Sequence, residues 1–347
     1  MAINPRYAER LARDLLELYT EAETRMLEIV AKELADDIYA PDWAAVKLAE
    51  ISRVKSKLEK QVANLDKKMP EVAAETVKKA YTTGQKGIEA DLKKVKPEIK
   101  TGFGTIDERK VMVLTRQLAG TLGETHLRIT RQSLDEYRSI IGKVSQMVEL
   151  GVETRQQATQ RALNEFADKG ITGFIDKAGR SWSLRSYAEM ATRSTTGQAA
   201  IEGAIQRLQD NEYDLVIVSF HADSCPLCGP WEGKILSISG RSDQYPALDE
   251  AIAEGLFHPN CGHSLGAYIP GLTEKPTQAE MGKGDFEEAQ EQRRLERDIR
   301  RWKQRQAVAI TDEEKKKAAS KVREKQAKLR EFLDATGRHR QRDRERI

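Results

Sequence analysis

No stretch of this chain stays apolar long enough to cross a bilayer, and its opening, Met-Ala-Ile-Asn-Pro-Arg-Tyr-Ala-Glu-Arg, lacks the apolar core of a secretory signal. A soluble protein made in a cytoplasm is expected, with no membrane segment. Aromatic residues are scarce at 6%, and apolar residues reach only 39% against 33% charged. That balance suits long solvated helices around small cores better than one large globule. Three cysteines, all close together, cannot build a disulfide framework, which points to a reducing compartment. There is no phosphate-binding Gly-x-x-x-x-Gly-Lys-Ser/Thr loop, no Gly-x-Ser-x-Gly elbow and no His-Glu-x-x-His pair. Gly102-Phe-Gly104 is a loop and not a nucleotide fingerprint. Self-similarity of solenoid length is absent too. A net charge of +3 in 347 residues is too small to define a nucleic-acid binder.

Proline is also thin, and its placement divides the chain. Of ten prolines, five (226, 230, 246, 259 and 270) fall in one short region, while 98–225 and 277–347 have none. Long proline-free tracts permit long helices. Residues 6–38 have helical spacing, with Tyr7, Leu11, Leu15, Leu18, Ala22, Met26 and Ile29 on one face. Pro41-Asp42 should end that helix, and Asp42 should cap the next, which carries Ile51, Val54, Leu58, Val62 and Leu65. Further breaks are expected at Pro70, at Pro97 and in the loop Thr101-Gly-Phe-Gly-Thr. Helix should resume over 107–166, interrupted at Gly120, Gly123 and Gly151, with a last short helix beginning near Val152.

The character then changes. Residues 170–182 pattern as two short strands around Asp-Lys-Ala-Gly, 184–209 as a helix, and 213–220 as a buried strand. Lys234-Ile-Leu-Ser-Ile predicts another strand, and 248–254 a short helix stopped by Gly255. Beyond Pro276 the chain is almost entirely charged helix. Residues 285–347 hold 20 Lys/Arg and 14 Asp/Glu, a local net of +6, which leaves −3 for the rest. Leu295, Ile299 and Trp302 form one apolar stripe there and Phe332-Leu333 another; the arginine-rich end 337–347 is expected to be disordered when alone. The fold class is therefore α+β, in four consecutive regions. These are a helical docking region (1–100), a second helical region (101–168), a small α/β domain (169–275) and a charged helical tail (276–347).

Chemistry concentrates in that α/β domain. All three cysteines and three of the five histidines lie between His221 and His263. Cys225 and Cys228 have the two-residue spacing that lets two thiolates point at one metal from a tight turn, and His258 and Cys261 repeat it, with His263 just beyond. A compact N/S set of this kind suits zinc. Cys225, Cys228 and Cys261 are candidate ligands, and either His258 or His263 is the fourth. Such a site would staple two distant loops. A deaminase-like order of His-x-Glu then Pro-Cys-x-x-Cys is not met, because the acid is Asp223, the Cys-x-x-Cys follows almost at once and its proline lies inside it. A closed four-ligand zinc would be structural; an open position beside Asp223 or Glu232 would make it catalytic, a zinc-dependent hydrolase or nuclease. His126 patterns as an ordinary partly buried histidine, and Arg180, Trp182, Tyr187 and Arg193 as ties between the hairpin and the following helix.

One run of motifs has a familiar order. Phe174-x-Asp176-x-x-Gly179-Arg180-x-Trp182 is followed by Tyr187-Ala-Glu-Met190 and Arg193. Then come Cys225-Pro-x-Cys228-x-Pro-Trp231-x-Gly233-Lys234, Gly255-Leu-Phe-His258-Pro-Asn-Cys261-x-His263 and Tyr268. This resembles the phage minor capsid protein 2 family, related to the Mu-type head-morphogenesis proteins. The resemblance implies a non-enzymatic virion protein in the head interior near the portal, assisting head morphogenesis and DNA packaging or delivery. Its implied partners are the portal protein and capsid or scaffolding proteins, with packaged DNA reached through the basic C-terminal tail. In the wider Mu-type group the last element often ends His-Pro-x-Cys-x-Cys, and His263 stands in place of the second cysteine. That exchange keeps a zinc ligand and implies Cys225, Cys228, Cys261 and His263, leaving His258 the alternative.

Overall fold

The computed structural model describes residues 10–95, 106–171, 179, 182–274 and 285–347. The hairpin expected at 170–182, the start of the first helix with Tyr7, and the breaks at Pro97 and 101–105 lie wholly or mostly outside those residues. So do Phe174, Asp176 and Arg180. In chain order the helices are α1 (Arg13–Ala35), α2 (Trp43–Ala49), α3 (Ile51–Val95), α4 (Glu108–Glu149), α5 (Arg155–Lys169), α6 (Leu184–Gln209), α7 (Leu248–Ala253), α8 (Phe286–Ala307) and α9 (Asp312–Thr336). Strands β1 (Leu215–Val218), β2 (Ile235–Ser237) and β3 (Leu265–Ala267) form a sheet of order β2-β1-β3, antiparallel throughout. Among the described residues the protein is mostly helical with one small antiparallel sheet, and no helix is long and apolar enough to cross a membrane.

Several expected breaks are not breaks. Pro70 lies inside the 45-residue α3. Its missing N–H and its ring cost roughly 3 kcal/mol in a helix interior. The helix survives because its apolar row continues on both sides, with Leu58, Leu65 and Met69 before and Ala73, Val77 and Tyr81 after, all buried. Each buried leucine, valine or methionine of the row contributes roughly 1.5–3 kcal/mol. Gly120 and Gly123 likewise sit inside the 42-residue α4, where a glycine costs only about 1 kcal/mol relative to alanine. Gly151 does end its helix, at φ +66°. Then α5 starts with a capping box: Gln157 N donates to Thr154 Oγ1 at 3.3 Å and Thr154 N to Gln157 Oε1 at 3.1 Å. Asp42 occupies the N-cap position of α2, but its side chain makes no capping bond.

The described residues group into two compact units, each drawn from three separated stretches of chain. Unit 1 takes Met1–Leu15, Pro70–Thr121 and Glu189–Ala289; unit 2 takes Leu16–Met69, Leu122–Ala188 and Gln290–Ile347.

Unit 1 holds the sheet. Val216, Val218, Leu236, Leu265 and Ala267 join Ile88 and Leu92 of α3, Ala204 and Leu208 of α6, and Cys228, Trp231 and Leu256 in one core. Two glycines allow α3 and α6 to touch backbone to backbone. A Cβ on Gly84 would lie 1.8 Å from Ala200 O, and one on Gly203 would lie 2.1 Å from Tyr81 O. Only the absence of a side chain permits that approach.

Unit 2 is helical. The buried face of α1 there runs through Tyr19, Met26, Leu27, Val30 and Leu34, whereas Leu18 and Ile29 of the expected stripe are only half-buried. That face is buried within the chain. Glu23 of α1 is buried and accepts the backbone N–H groups of Leu184 (2.9 Å) and Arg185 (3.2 Å) at the start of α6. Burial pushes its pKa up; the two N–H bonds and the Arg185 charge only partly oppose this. His126 is buried, between Tyr19 Oη at 2.7 Å and Asp66 Oδ1 at 2.6 Å. The stripes of the C-terminal segment meet one another: Leu295 and Ile299 of α8 share a cluster with Val322, Leu329 and Leu333 of α9, flanked by Trp302 and Phe332. The arginine-rich end, expected to be disordered when alone, is ordered in the chain. Arg340 pairs with Glu345 (2.5 Å), Arg344 with Glu296 (3.5 Å) and Arg346 with Glu17 (3.2 Å). Buried Arg185 binds the carbonyls of Arg346 (2.8 Å) and Asp343 (3.0 Å). Three arginines of this end thus have acidic partners.

Candidate metal centre

The sheet explains how donors from two distant segments meet. β1 runs into the 219–234 connection, and β3 starts directly after His263. Because Val218 pairs with Leu265 in antiparallel register, the end of β1 and the start of β3 lie side by side. Ser219 N donates to Ser264 O (2.9 Å) and Ser264 N to Ser219 Oγ (2.9 Å), which carries the pairing past the strands. His221 and His263 consequently lie with ring centroids 5.5 Å apart. The Cys225–Cys228 turn closes through Gly229 N to Cys225 O at 2.9 Å, and the 258–261 turn through Cys261 N to His258 O, also 2.9 Å.

Five candidate ligands converge there as two triplets that share Cys228: Cys225, Cys228 and His258, and Cys228, Cys261 and His263. Within each triplet the ligand atoms lie within 4.8 Å of one another. Cys228 Sγ is 3.4 Å from Cys261 Sγ, Cys261 Sγ is 3.3 Å from His263 Nδ1, and Cys225 Sγ is 2.9 Å from His258 Nε2. Cys228 is fully buried and His263 nearly so. Hydrogen bonding with Cys261 and burial push the Cys228 thiol up to about 12, while the same bond holds the Cys261 thiol low. Burial works against protonation of His263, but its bonds to Cys228 and Glu232 outweigh that and raise its pKa.

The backbone beside these donors is strained. Phe257 (φ 61°) and Asn260 (φ 66°) both adopt left-handed conformations, flanking His258-Pro259. Asparagine tolerates that region; phenylalanine rarely enters it. Asn260 N is anchored by Ser194 Oγ at 3.3 Å.

Glu232, which the sequence offers as an acid for an open catalytic site, is engaged otherwise. Its Oε1 accepts from His263 Nε2 (2.8 Å) and from the backbone N–H of His221 (2.7 Å). His221 Nδ1 in turn accepts from Asp223 N at 2.9 Å, so His221 is not gathered with the donor triplets. Spacing alone could not reveal the Glu232 role, since 31 residues separate it from His263. Arg193, on α6, pairs with Glu189 at 3.6 Å.

These features define a class: a helical, heavily charged protein whose small sheet gathers thiols and imidazoles, with the Glu232 carboxylate bonded beside them. The chain belongs to the phage minor capsid protein 2 family, whose model matches residues 3–334. Among characterised relatives, a structural protein of Lactococcus phage LL-H is 29% identical over 217 residues. That match covers 58% of this chain and 58% of the relative, so the chain spans less than two thirds of the relative's length. No solved structure matches.

Proposed function

We propose that the protein works in the head interior beside the portal, binding portal and capsid or scaffolding proteins without catalysis and assisting head morphogenesis and DNA packaging or delivery. The observation that carries this reading is the family match over nearly the whole chain. Two features of the molecule support it. Glu232, the acid best placed to serve an open metal site, is held by His263 and His221. Large apolar side chains also face solvent, Tyr39, Leu150 and Val152 in turns and Leu127 on α4, and are available to protein contacts. A hydrolase or nuclease gains no comparable support. DNA contact through 285–347 is a minor part of the proposal, because its acids pair with its arginines.

The test is cross-linking within intact heads, followed by mass analysis. Cross-links from this chain to the portal protein are expected. A chain cross-linked only to outer-surface proteins, or missing from purified heads, would overturn the proposal.

A further inference from the structure

We infer that the chain binds one zinc ion through Cys225, Cys228, Cys261 and Nδ1 of His263, with Glu232 orienting His263 and His258 outside the ligand set. This does not rest on the proposed place in the head, and either could fail alone.

The argument for a metal is chemical. Two further thiols and two imidazoles gather around fully buried Cys228 in two triplets, with three of the donor pairs 2.9–3.4 Å apart. Nothing in the surrounding core, made of Trp231, Leu256 and Leu265 among others, calls for that polarity. Thiolate-rich N/S sets select zinc over harder cations. Cys261 Sγ accepts the backbone N–H of His263 at 3.4 Å and that of Phe257. The left-handed Phe257 supplies one of them, which gives its strained backbone a purpose.

The choice between the histidines follows from their second nitrogens. Nε2 of His263 carries the proton donated to Glu232 at 2.8 Å, so Nδ1 presents a bare lone pair to the sulfurs. An imidazole backed by a carboxylate is the usual arrangement of a metal-bound histidine, and it fixes tautomer and ring orientation. His258 donates Nδ1–H to Pro259 O at 2.9 Å, and its Nε2 faces Cys225. It is half-exposed and bonded to a neutral carbonyl next to it in the chain, a weaker support. Cys225 shares a triplet with Cys228 but not with Cys261 and His263, so on binding the ion its side chain turns from His258 to complete the set at Cys228. Three sulfurs and one nitrogen close a tetrahedral set, leaving no position for water or substrate.

The experiment uses the full chain, purified without chelator. Native mass spectrometry should show one zinc per chain in the wild type and in His258→Ala, and none in His263→Ala. Glu232→Gln should still bind zinc but lose it to a competing chelator on the order of 10–100-fold more readily. Because His263→Ala could fail to fold, the wild-type chain is also loaded with cobalt(II). The intensity of its sulfur-to-metal charge-transfer band should correspond to three thiolates. A metal-free wild type, zinc lost from His258→Ala but kept in His263→Ala, or a two-thiolate spectrum would overturn the assignment.

Discussion

The region around the sheet and the helices of unit 2 solve one problem by opposite means. The sheet has three strands of three or four residues, too short to be stable alone, and its connecting loops converge on soft donors. Unit 2 has long helices whose tight points are carboxylates clasped by cations. Asp168 is bound by both Arg301 and Arg305, and Glu33 by Arg53 and Lys57. The first design concentrates its stabilisation in a few atoms; the second spreads it over many exposed or half-exposed pairs, each contributing little. Removing one element should therefore be severe in the first and mild in the second.

The largest effect should come from the proposed zinc. Cys261→Ser, or strong chelation, should remove folding free energy of order ~10 kcal/mol, as for small structural zinc sites. Hydrogen exchange should then rise across 215–269 while α1 stays protected; equal loss of protection in both would erase the contrast. Next comes Gly203→Ala, which drives a methyl group into Tyr81 O. Overpacking of this kind costs about 1–3 kcal/mol, measurable as a lower urea midpoint.

Asp168→Asn should cost about 1–2 kcal/mol at pH 7, since Asp168 is mostly buried whereas Arg301 is half-exposed. Burial alone would raise the Asp168 pKa, but hydrogen bonds from Arg301 and Arg305 hold it below the ordinary value. With the folded pKa depressed, its contribution is complete above the unfolded value of about 3.9 and fades as pH falls through the folded one. The deficit of Asp168→Asn relative to wild type should accordingly shrink in urea titrations as the pH falls below the unfolded value of about 3.9. Thr154→Ala should cost about 1 kcal/mol through loss of the capping box, read from the same denaturation curves. Smallest of all should be the DNA effect of deleting 337–347. A salt titration should give nearly equal, weak binding with and without it, because Arg340, Arg344 and Arg346 already have acidic partners.

Helix α6 was legible to the residue, since 184–209 has helical spacing and no proline. β1 and β2 stood out as apolar runs. β3 did not, because Leu265-Gly-Ala267 carries no strand pattern and becomes a strand only by pairing with β1. The breaks at Pro70, Gly120 and Gly123 were misjudged for one reason: local propensity lost to the burial of apolar rows on either side. The donor residues were visible because cysteine and histidine are rare here and their spacing is tight. The function of Glu232 was not, since only the antiparallel meeting of β1 and β3 brings residue 232 to residue 263.

The interleaving of the two units bears on how a nascent chain folds. The last stretch of unit 1 ends at Ala289, and the last stretch of unit 2 begins at Gln290. A ribosome thus delivers everything unit 1 requires before α9, or any of α8 beyond Ala289, exists. Until those helices emerge, Asp168 waits without Arg301 and Arg305, and the stretches 16–69 and 122–188 lack the third they pack with. During synthesis unit 2 is the exposed, aggregation-prone half, and holdase chaperones would find their binding sites there.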